Sequence, residues 1–449
     1  MTASIRIFAV TLLTTLIVAC GATARLPVTT GTGPNPTLPP PRTSPIPLVK
    51  VATAKGWAPG EKPIAAAGTV VSAFASGLEH PRWLYVLPNG DVLVAETNAP
   101  VRPDDNKGLK GWFFKRYQKK AGGAVPSANR ISLLRDADGD GVAEMRSPFL
   151  TGLNSPFGMV LVGQTLYVAN TDAVVAFPYR DGDLRIAAKG TKLADLPGGT
   201  LNHHWTKNVI ASPDGRTLYV AVGSNSNVAE HGIEQEKDRA AVLAIDRMTG
   251  ASRVFASGLR NPVGMAWEPE RGALWVAVNE RDELGSDLVP DYMTAVREGG
   301  FYGWPYSYFG QHVDARVKPP RPDLVAKALV PDYALGPHTA SLGLAYSTGG
   351  VAGRFGRGMF VGQHGSWNRQ PRSGYKVIFV PFANGMPSGD PVEVLTGFLD
   401  ESDGDSRGRP VGVVVDRLRA LLVADDVGNV IWRVAAARPA RESSASGSD

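Results

Sequence analysis

One cysteine in 449 residues excludes an internal disulfide, so nothing in the fold can rest on covalent staples. With a single thiol there is also no C-x-x-C-H pattern for attaching a haem. Histidine is scarce, with seven residues in all, and two of them, His203 and His204, stand side by side. The formal charge is only +5, and no arginine-rich helix or cluster of aromatic and basic residues concentrates it. That excludes nucleic acid as a natural partner. Long helix-periodic runs are few. Turn formers are plentiful instead, with 51 glycines and 35 prolines, and such punctuation between short apolar runs points to an all-β protein.

The first residues are a targeting signal rather than fold. In MTASIRIFAVTLLTTLIVAC one early positive residue, Arg6, precedes an apolar run from Ile7 to Ala19 that is short for a bilayer. It ends in IVAC, which resembles a bacterial lipobox, and Cys20 is the only cysteine. Residues 1–19 are therefore expected to be a signal peptide and Cys20 the lipidation site of an exported lipoprotein, anchored at the outer membrane and facing the periplasm. The plainer reading is an ordinary signal peptide with an incidental cysteine. Residues 20–67 are rich in Pro, Thr and Gly and are expected to form an extended tether. The folded body is expected over 68–436, followed by a disordered tail over 437–449.

Within the body one phrase recurs six times: a loop, an apolar strand, a turn, and a second strand ending in VA or VG. The copies are LEHPRWLYVLPNGDVLVAET, LNSPFGMVLVGQTLYVANT, LNHHWTKNVIASPDGRTLYVAVGS, LRNPVGMAWEPERGALWVAVNE, HTASLGLAYSTGGVAGRFGRGMFVGQHGS and RGRPVGVVVDRLRALLVADDVG. PNG, SPDG and STGG are tight-turn sequences. Intervals of roughly fifty to eighty-five residues leave room for two further strands per copy. The expected fold is all-β, a six-bladed β-propeller of four-stranded antiparallel blades. In such a disc the loops before the first strands converge on the axis. They carry Glu79 to Arg82, Asn154 and Ser155, Asn202 to His204, Arg260 and Asn261, His338 and Thr339, and Arg407 to Arg409. Four arginines and four histidines at one mouth would repel each other unless an anion lay between them.

LNHHWTKNVIASPDG, GLRNPVGMAWEP, REGGFYGWPYSYFG and SRGRPVGVV, in that order, resemble the pyrroloquinoline quinone (PQQ)-dependent glucose and sorbosone dehydrogenases. The resemblance runs from about Gly77 to Val434. It implies PQQ and Ca2+ as cofactors, and a sugar hemiacetal or aldehyde, of sorbosone or aldose type, as the substrate. It places the catalytic histidine on His203, acting as base while hydride passes to the quinone, and puts Arg260 and Asn261 at the quinone's reactive edge. His204, which the glucose-oxidising branch lacks, is left either to orient His203 or to face solvent. Arg407 and Arg409 match the pair that grips quinone carboxylates, a task suited to planar guanidinium forks. Arg82 and Asn202 are further candidates for binding the cofactor, with Arg369 of GQHGSWNRQ standing where the family has a lysine. The cation site departs from the glucose branch. Here the corresponding run is AVNERDELGSDLVPDY, and Asn279, Glu280 and Asp282 are the candidate ligands.

Two other segments carry signals. Asp136, Asp138 and Asp140 have the spacing that opens an EF-hand loop, but the twelfth position is Ser147 and the run is equally a hairpin turn. KGLKGWFFKRYQKK, residues 107–120, is a basic insert suited to a flap over the pocket, to membrane phosphates, or to a plain solvated loop. The competing readings of the whole are a non-catalytic binding propeller and a calcium-dependent lactonase. The electron acceptor, a membrane quinone or a cytochrome, is left open.

Overall fold

A computed structural model describes residues 23–44, 48–101 and 116–437. The signal sequence with Cys20, most of the basic insert, and all but the first residue of the tail lie outside the described residues. The expected strand pairs are all present. Six first strands, Pro81–Val86, Met159–Val162, Lys207–Ala211, Asn261–Glu268, Ser341–Val351 and Pro410–Val415, open blades 1 to 6 in chain order. Each pairs antiparallel with the strand that ends its repeat, and successive first strands touch in a closed ring around the axis.

Blades 1, 2 and 3 are plain four-stranded meanders. Blade 6 is completed by Thr69–Ser76, which pairs with Val430–Ala436. The disc is therefore closed by joining the start of the propeller to its end, which leaves no open edge at the seam.

Why the repeats fold this way is visible along Val92–Glu96, which is buried throughout. Successive side chains on a strand point to opposite faces. Leu93 and Ala95 accordingly pack with Met159 and Val168 of blade 2, while Val92 and Val94 pack with Leu422 and Ile431 of blade 6. Six apolar clusters occupy the six gaps between neighbouring blades.

At the axis the blades approach more closely than any side chain allows. A Cβ on Gly158 would sit 2.3 Å from the backbone nitrogen of Val209. On Gly264 it would meet the Leu342 carbonyl at 2.4 Å, and on Gly343 the Val411 carbonyl at 2.2 Å. Gly412 faces the Arg82 carbonyl at 2.8 Å. FGM, VGM, LGL and VGV are thus one recurring device, a glycine where the next blade's first strand crosses, used in four of the six blades; PRWLYV of blade 1 and KNVIA of blade 3 lack it.

Residues 23–67 are not an extended tether where the structure describes them. Thr32–Gly33 adds to the outer edge of blade 4 through Leu335 and Ala334, and Ile64–Ala65 adds to blade 5 through Thr396 and Leu395. Between them Val51 and Ala52 are buried. Trp57 stands edge-on to Phe398 at 5.5 Å and to Trp432 at 5.4 Å, and its Nε1 donates to Asp425 at 2.7 Å. The composition suggested a solvated chain because prolines and threonines bury little. The segment nevertheless satisfies its backbone on the edges of the propeller, and three apolar side chains supply the packing. Trp57→Ala should therefore lower stability by about 2–4 kcal/mol, read as a shift in the urea midpoint. A free tether would show no shift.

Candidate functional site

At one end of the axis lies a cavity of about 600 Å³, within the range of small-molecule sites. Blades 3 to 6 line most of it, joined by Tyr117, Gln118 and Ala121 from the insert of blade 1 and by Val49 and Val51 of the N-terminal segment. Its wall carries His204 from blade 3; Arg260, Asn261, Asn279, Glu280, Asp282, Glu283 and Asp291 from blade 4; His338, His364 and Asn368 from blade 5; and Arg409 from blade 6. The convergence expected of six loops is thus realised for four. Blades 1 and 2 send theirs elsewhere: Glu79 and His80 line a separate cavity of about 390 Å³, and Asn154 donates to Asp172.

Of the histidine pair, the second residue is the one that lines the cavity. His204 lines the cavity, and its Nδ1 lies 2.7 Å from the Ser224 carbonyl. A carbonyl only accepts, so Nδ1 carries the proton and Nε2 keeps its lone pair. Burial, reinforced by Arg260, holds this imidazole well below its usual pKa and therefore neutral. His203 is not among the lining residues, and its ring lies tilted against that of His231, with centroids 5.8 Å apart. Asn202, just before it, is buried and binds protein: it donates to Thr171 and accepts from Lys207 and Arg239. Both of those cations are buried beneath the loop, and burial lowers both pKa values. Asn202 therefore anchors the loop and is not in contact with the cavity.

The arginines divide in the same way. Arg260 lines the cavity and is held rigidly, donating to the Glu280 carbonyl at 2.7 Å, to Asn227, and to Asp282 at 3.3 Å. Arg409 lines it too. Its Nε and Nη2 donate to the carbonyls of His364 and Gly365, and its guanidinium lies over the Tyr375 ring. Arg407 does not reach the cavity, because it pairs with Asp400 at 3.0 Å and with Glu61 at 3.7 Å. Arg369 is buried against the carbonyls of Ser286, Pro371 and Leu26, where it fastens the N-terminal segment. Arg82 pairs with Asp426 at 2.5 Å behind the wall. Asp426 also accepts from His364 Nε2 at 2.9 Å. Burial and Arg409 lower His364 to about 4, so this contact is a neutral imidazole donating to a carboxylate rather than an ion pair.

Carboxylates were underestimated. Glu280, Asp282, Glu283 and Asp291 all face the cavity, against only two arginines. Asp291, which had no sequence signal of its own, accepts from the backbone of Glu280 and Ser341 and from Thr339, and burial raises its pKa. Burial opposes ionisation of Asp282 as well, but His338, Arg260 and Asn368 outweigh it and hold that carboxyl below its usual range. Asn279, Glu280 and Asp282 do meet at the wall, although they are not a closed metal cage. Among the described residues the one tight group of such ligands is Asp136, Asp138, Asp140 and Glu144, on an exposed hairpin at the rim of blade 1. Glu144 takes the ninth position of that loop, which the aspartate spacing alone did not reveal. Asp287, part of the same acidic run as Glu280, binds the backbone of Arg25 and Leu26 instead.

Two buried acceptors in the wall, Glu280 Oε1 and Asn261 Oδ1, have no hydrogen-bond partner among the described residues. Unsatisfied buried acceptors are costly and call for a donor or a cation. The geometry thus offers cationic groups for an anion, alongside two buried oxygens on wall residues that no hydrogen bond satisfies.

The TrAA12-like family profile matches residues 130–296 and 325–437, more than half of the sequence. The chain belongs to the TrAA12-like family. An uncharacterized protein of Borreliella burgdorferi is 27% identical over 293 residues, covering 63% of this chain and 76% of that protein. The PQQ-dependent pyranose dehydrogenase of Coprinopsis cinerea is 24% identical over 364 residues. That alignment covers 70% of this chain and 44% of the dehydrogenase, so the TrAA12-like chain spans less than half of that relative. The holo PQQ domain of the Coprinopsis cinerea pyranose dehydrogenase superposes with a TM-score of 0.66 at 19% identity, over 86% of this chain and all of that domain. The fold is thus that of a six-bladed propeller related to PQQ-dependent sugar dehydrogenases.

Proposed function

We propose that this TrAA12-like protein is a PQQ- and calcium-dependent oxidoreductase that oxidises a small sugar hemiacetal or aldehyde. The observation that carries the reading is the neutral His204 in the same wall as Arg260, Asn261 and four carboxylates. The donor set fits the cofactor. Arg409 and Arg260 supply positive charge for a tricarboxylate, while Glu280 Oε1 and Asn261 Oδ1 supply oxygens for a cation. When bound, the quinone accepts the two electrons that leave the substrate carbon. The chain supplies the rest. His204 Nε2 takes the hydroxyl proton of the substrate, the Ser224 carbonyl fixes the tautomer that makes this nitrogen a base, and Arg260 is held by Glu280 and Asn227 to oppose negative charge.

Purified protein incubated with calcium and PQQ should reduce an artificial dye in the presence of a member of a panel of aldoses and ketoaldehydes. Absence of quinone binding would overturn the reading. A calcium-dependent hydrolase is the second reading, and what favours it is the excess of carboxylates and amides over arginines in the wall. Lactone hydrolysis with calcium alone would decide for it. Lipidation at Cys20, export and a periplasmic location belong to the same proposal, supported by the lipobox-like IVAC.

A further inference from the structure

The cavity is bordered by a piece of chain that contributes nothing to the six repeats. Residues 48–57 run along the cavity between blades 5 and 6, with Lys50 exposed and its neighbours Val49 and Val51 lining the cavity. This strap is tied on both sides. The Lys50 nitrogen donates to the Trp367 carbonyl at 2.7 Å and Arg372 Nε donates to the Lys50 carbonyl at 3.0 Å, both on blade 5. Further on, Thr53 and Lys55 exchange backbone bonds with Ser406 at 2.7 Å, and Lys55 Nζ reaches Asp400 at 3.0 Å, both on the approach to blade 6. The Ala54 nitrogen donates to the Lys120 carbonyl at 2.8 Å, which binds the strap to the turn bearing Tyr117, Gln118 and Ala121. Those three residues are also in the cavity wall. The inner wall is therefore charged and polar, and the outer wall is apolar, made by Val49, Val51, Tyr117 and Trp367.

We propose that Val49 and Val51 are specificity-determining residues, which confine the site to a single monosaccharide-sized substrate and shut out the chain of an oligosaccharide. The assignment of substrate class rests on the oxidoreductase reading above; the confinement of the site does not. A cavity of about 600 Å³ that also takes a tricyclic quinone is reduced by the volume of that cofactor. A second sugar unit linked to the substrate would have to pass where the strap lies. The apolar side chains also offer nothing to the hydroxyls of such a unit, so its desolvation would go uncompensated.

The test has two arms. In the first, Ala340→Cys places a thiol on the cavity wall of the full chain, with Cys20→Ser removing the native one. Labelling is then followed with methyl methanethiosulfonate and with a polyether-linked maleimide, in the absence of any cofactor. The small reagent should react at least about tenfold faster than the bulky one after each rate is normalised to a free thiol. Val49→Ala with Val51→Ala should erase most of that difference. Arg372→Ala, which touches the strap from outside the cavity, should erase part of it. Equal labelling by both reagents in the otherwise unaltered protein would overturn the proposal, whatever the cofactor results.

In the second arm, the protein loaded with PQQ and calcium is compared on an aldohexose and its disaccharide. The ratio of kcat/KM values should move towards the disaccharide by about tenfold or more in the double alanine variant. Val51→Trp should weaken both substrates. An unchanged ratio in a variant whose labelling has opened would also sink the specificity assignment. Failure to bind PQQ would instead sink the oxidoreductase reading and leave the labelling result standing.

Discussion

His204→Ala should lower kcat by about a hundredfold or more while leaving quinone binding intact, whereas His203→Ala should stay within about threefold of the unaltered protein. The difference arises because only one of the two adjacent imidazoles has both a place in the cavity wall and a fixed tautomer. His204 donates a hydrogen bond from Nδ1 to the Ser224 carbonyl, and burial beside Arg260 keeps the ring neutral and able to accept at Nε2. His203 lies against His231 and is not among the lining residues. Single-turnover rates with PQQ and calcium bound would separate proton abstraction from substrate binding. Ser224→Ala keeps the carbonyl and should cost little, which distinguishes the backbone contact from the hydroxyl. A hundredfold loss at His203 with His204 silent would reverse the assignment and restore the sequence expectation.

The sequence expectation placed the base on His203, whereas the cavity is lined by its neighbour His204, and the reason for that difference is physical. Repeats with strand periodicity fix which chain segments reach the axis, and all six first strands lie where their patterns put them. A loop has no such period, so two neighbouring histidines cannot be told apart by spacing. What separates them is the burial of Asn202 over Lys207 and Arg239, a packing fact made by residues far apart in sequence. Arg407 and Arg409 divide for a similar reason. Between them is Gly408, where an added Cβ would collide with Asp425 at 2.2 Å, and Arg407 turns away to Asp400 while Arg409 faces the cavity. The N-terminal segment was misread from composition, although Val49, Val51 and Trp57 were apolar marks within it. The recurring axial glycines were equally present in four of the copies and needed only the question of what crosses there.

On the proposed function, removing calcium should weaken PQQ binding by about a hundredfold or more, because the carboxylates of the cavity wall would oppose those of the quinone. Four carboxylates share the wall with two guanidinium groups and His338, and Glu280 is further paired with Arg281 at 3.0 Å, so a ligand with three carboxylates would meet carboxylates as well as cations there. Two like charges about 4 Å apart at an effective dielectric of about 20 repel by about 4 kcal/mol, close to a thousandfold in affinity. Glu280 and Asn261, whose Oε1 and Oδ1 lack a hydrogen-bond partner, are the residues that would hold a divalent cation, and its charge would offset that repulsion. Equilibrium dialysis of PQQ with calcium, and again with a chelator, measures the effect directly. Glu280→Gln provides the internal control, since it removes a carboxylate while keeping its shape. It should weaken the calcium-dependent binding yet leave the residual binding in chelator unchanged or stronger. Affinity for PQQ that is indifferent to calcium, in both the unaltered protein and Glu280→Gln, would mean that the carboxylates do not face the ligand, and the cation would then have no part in holding it.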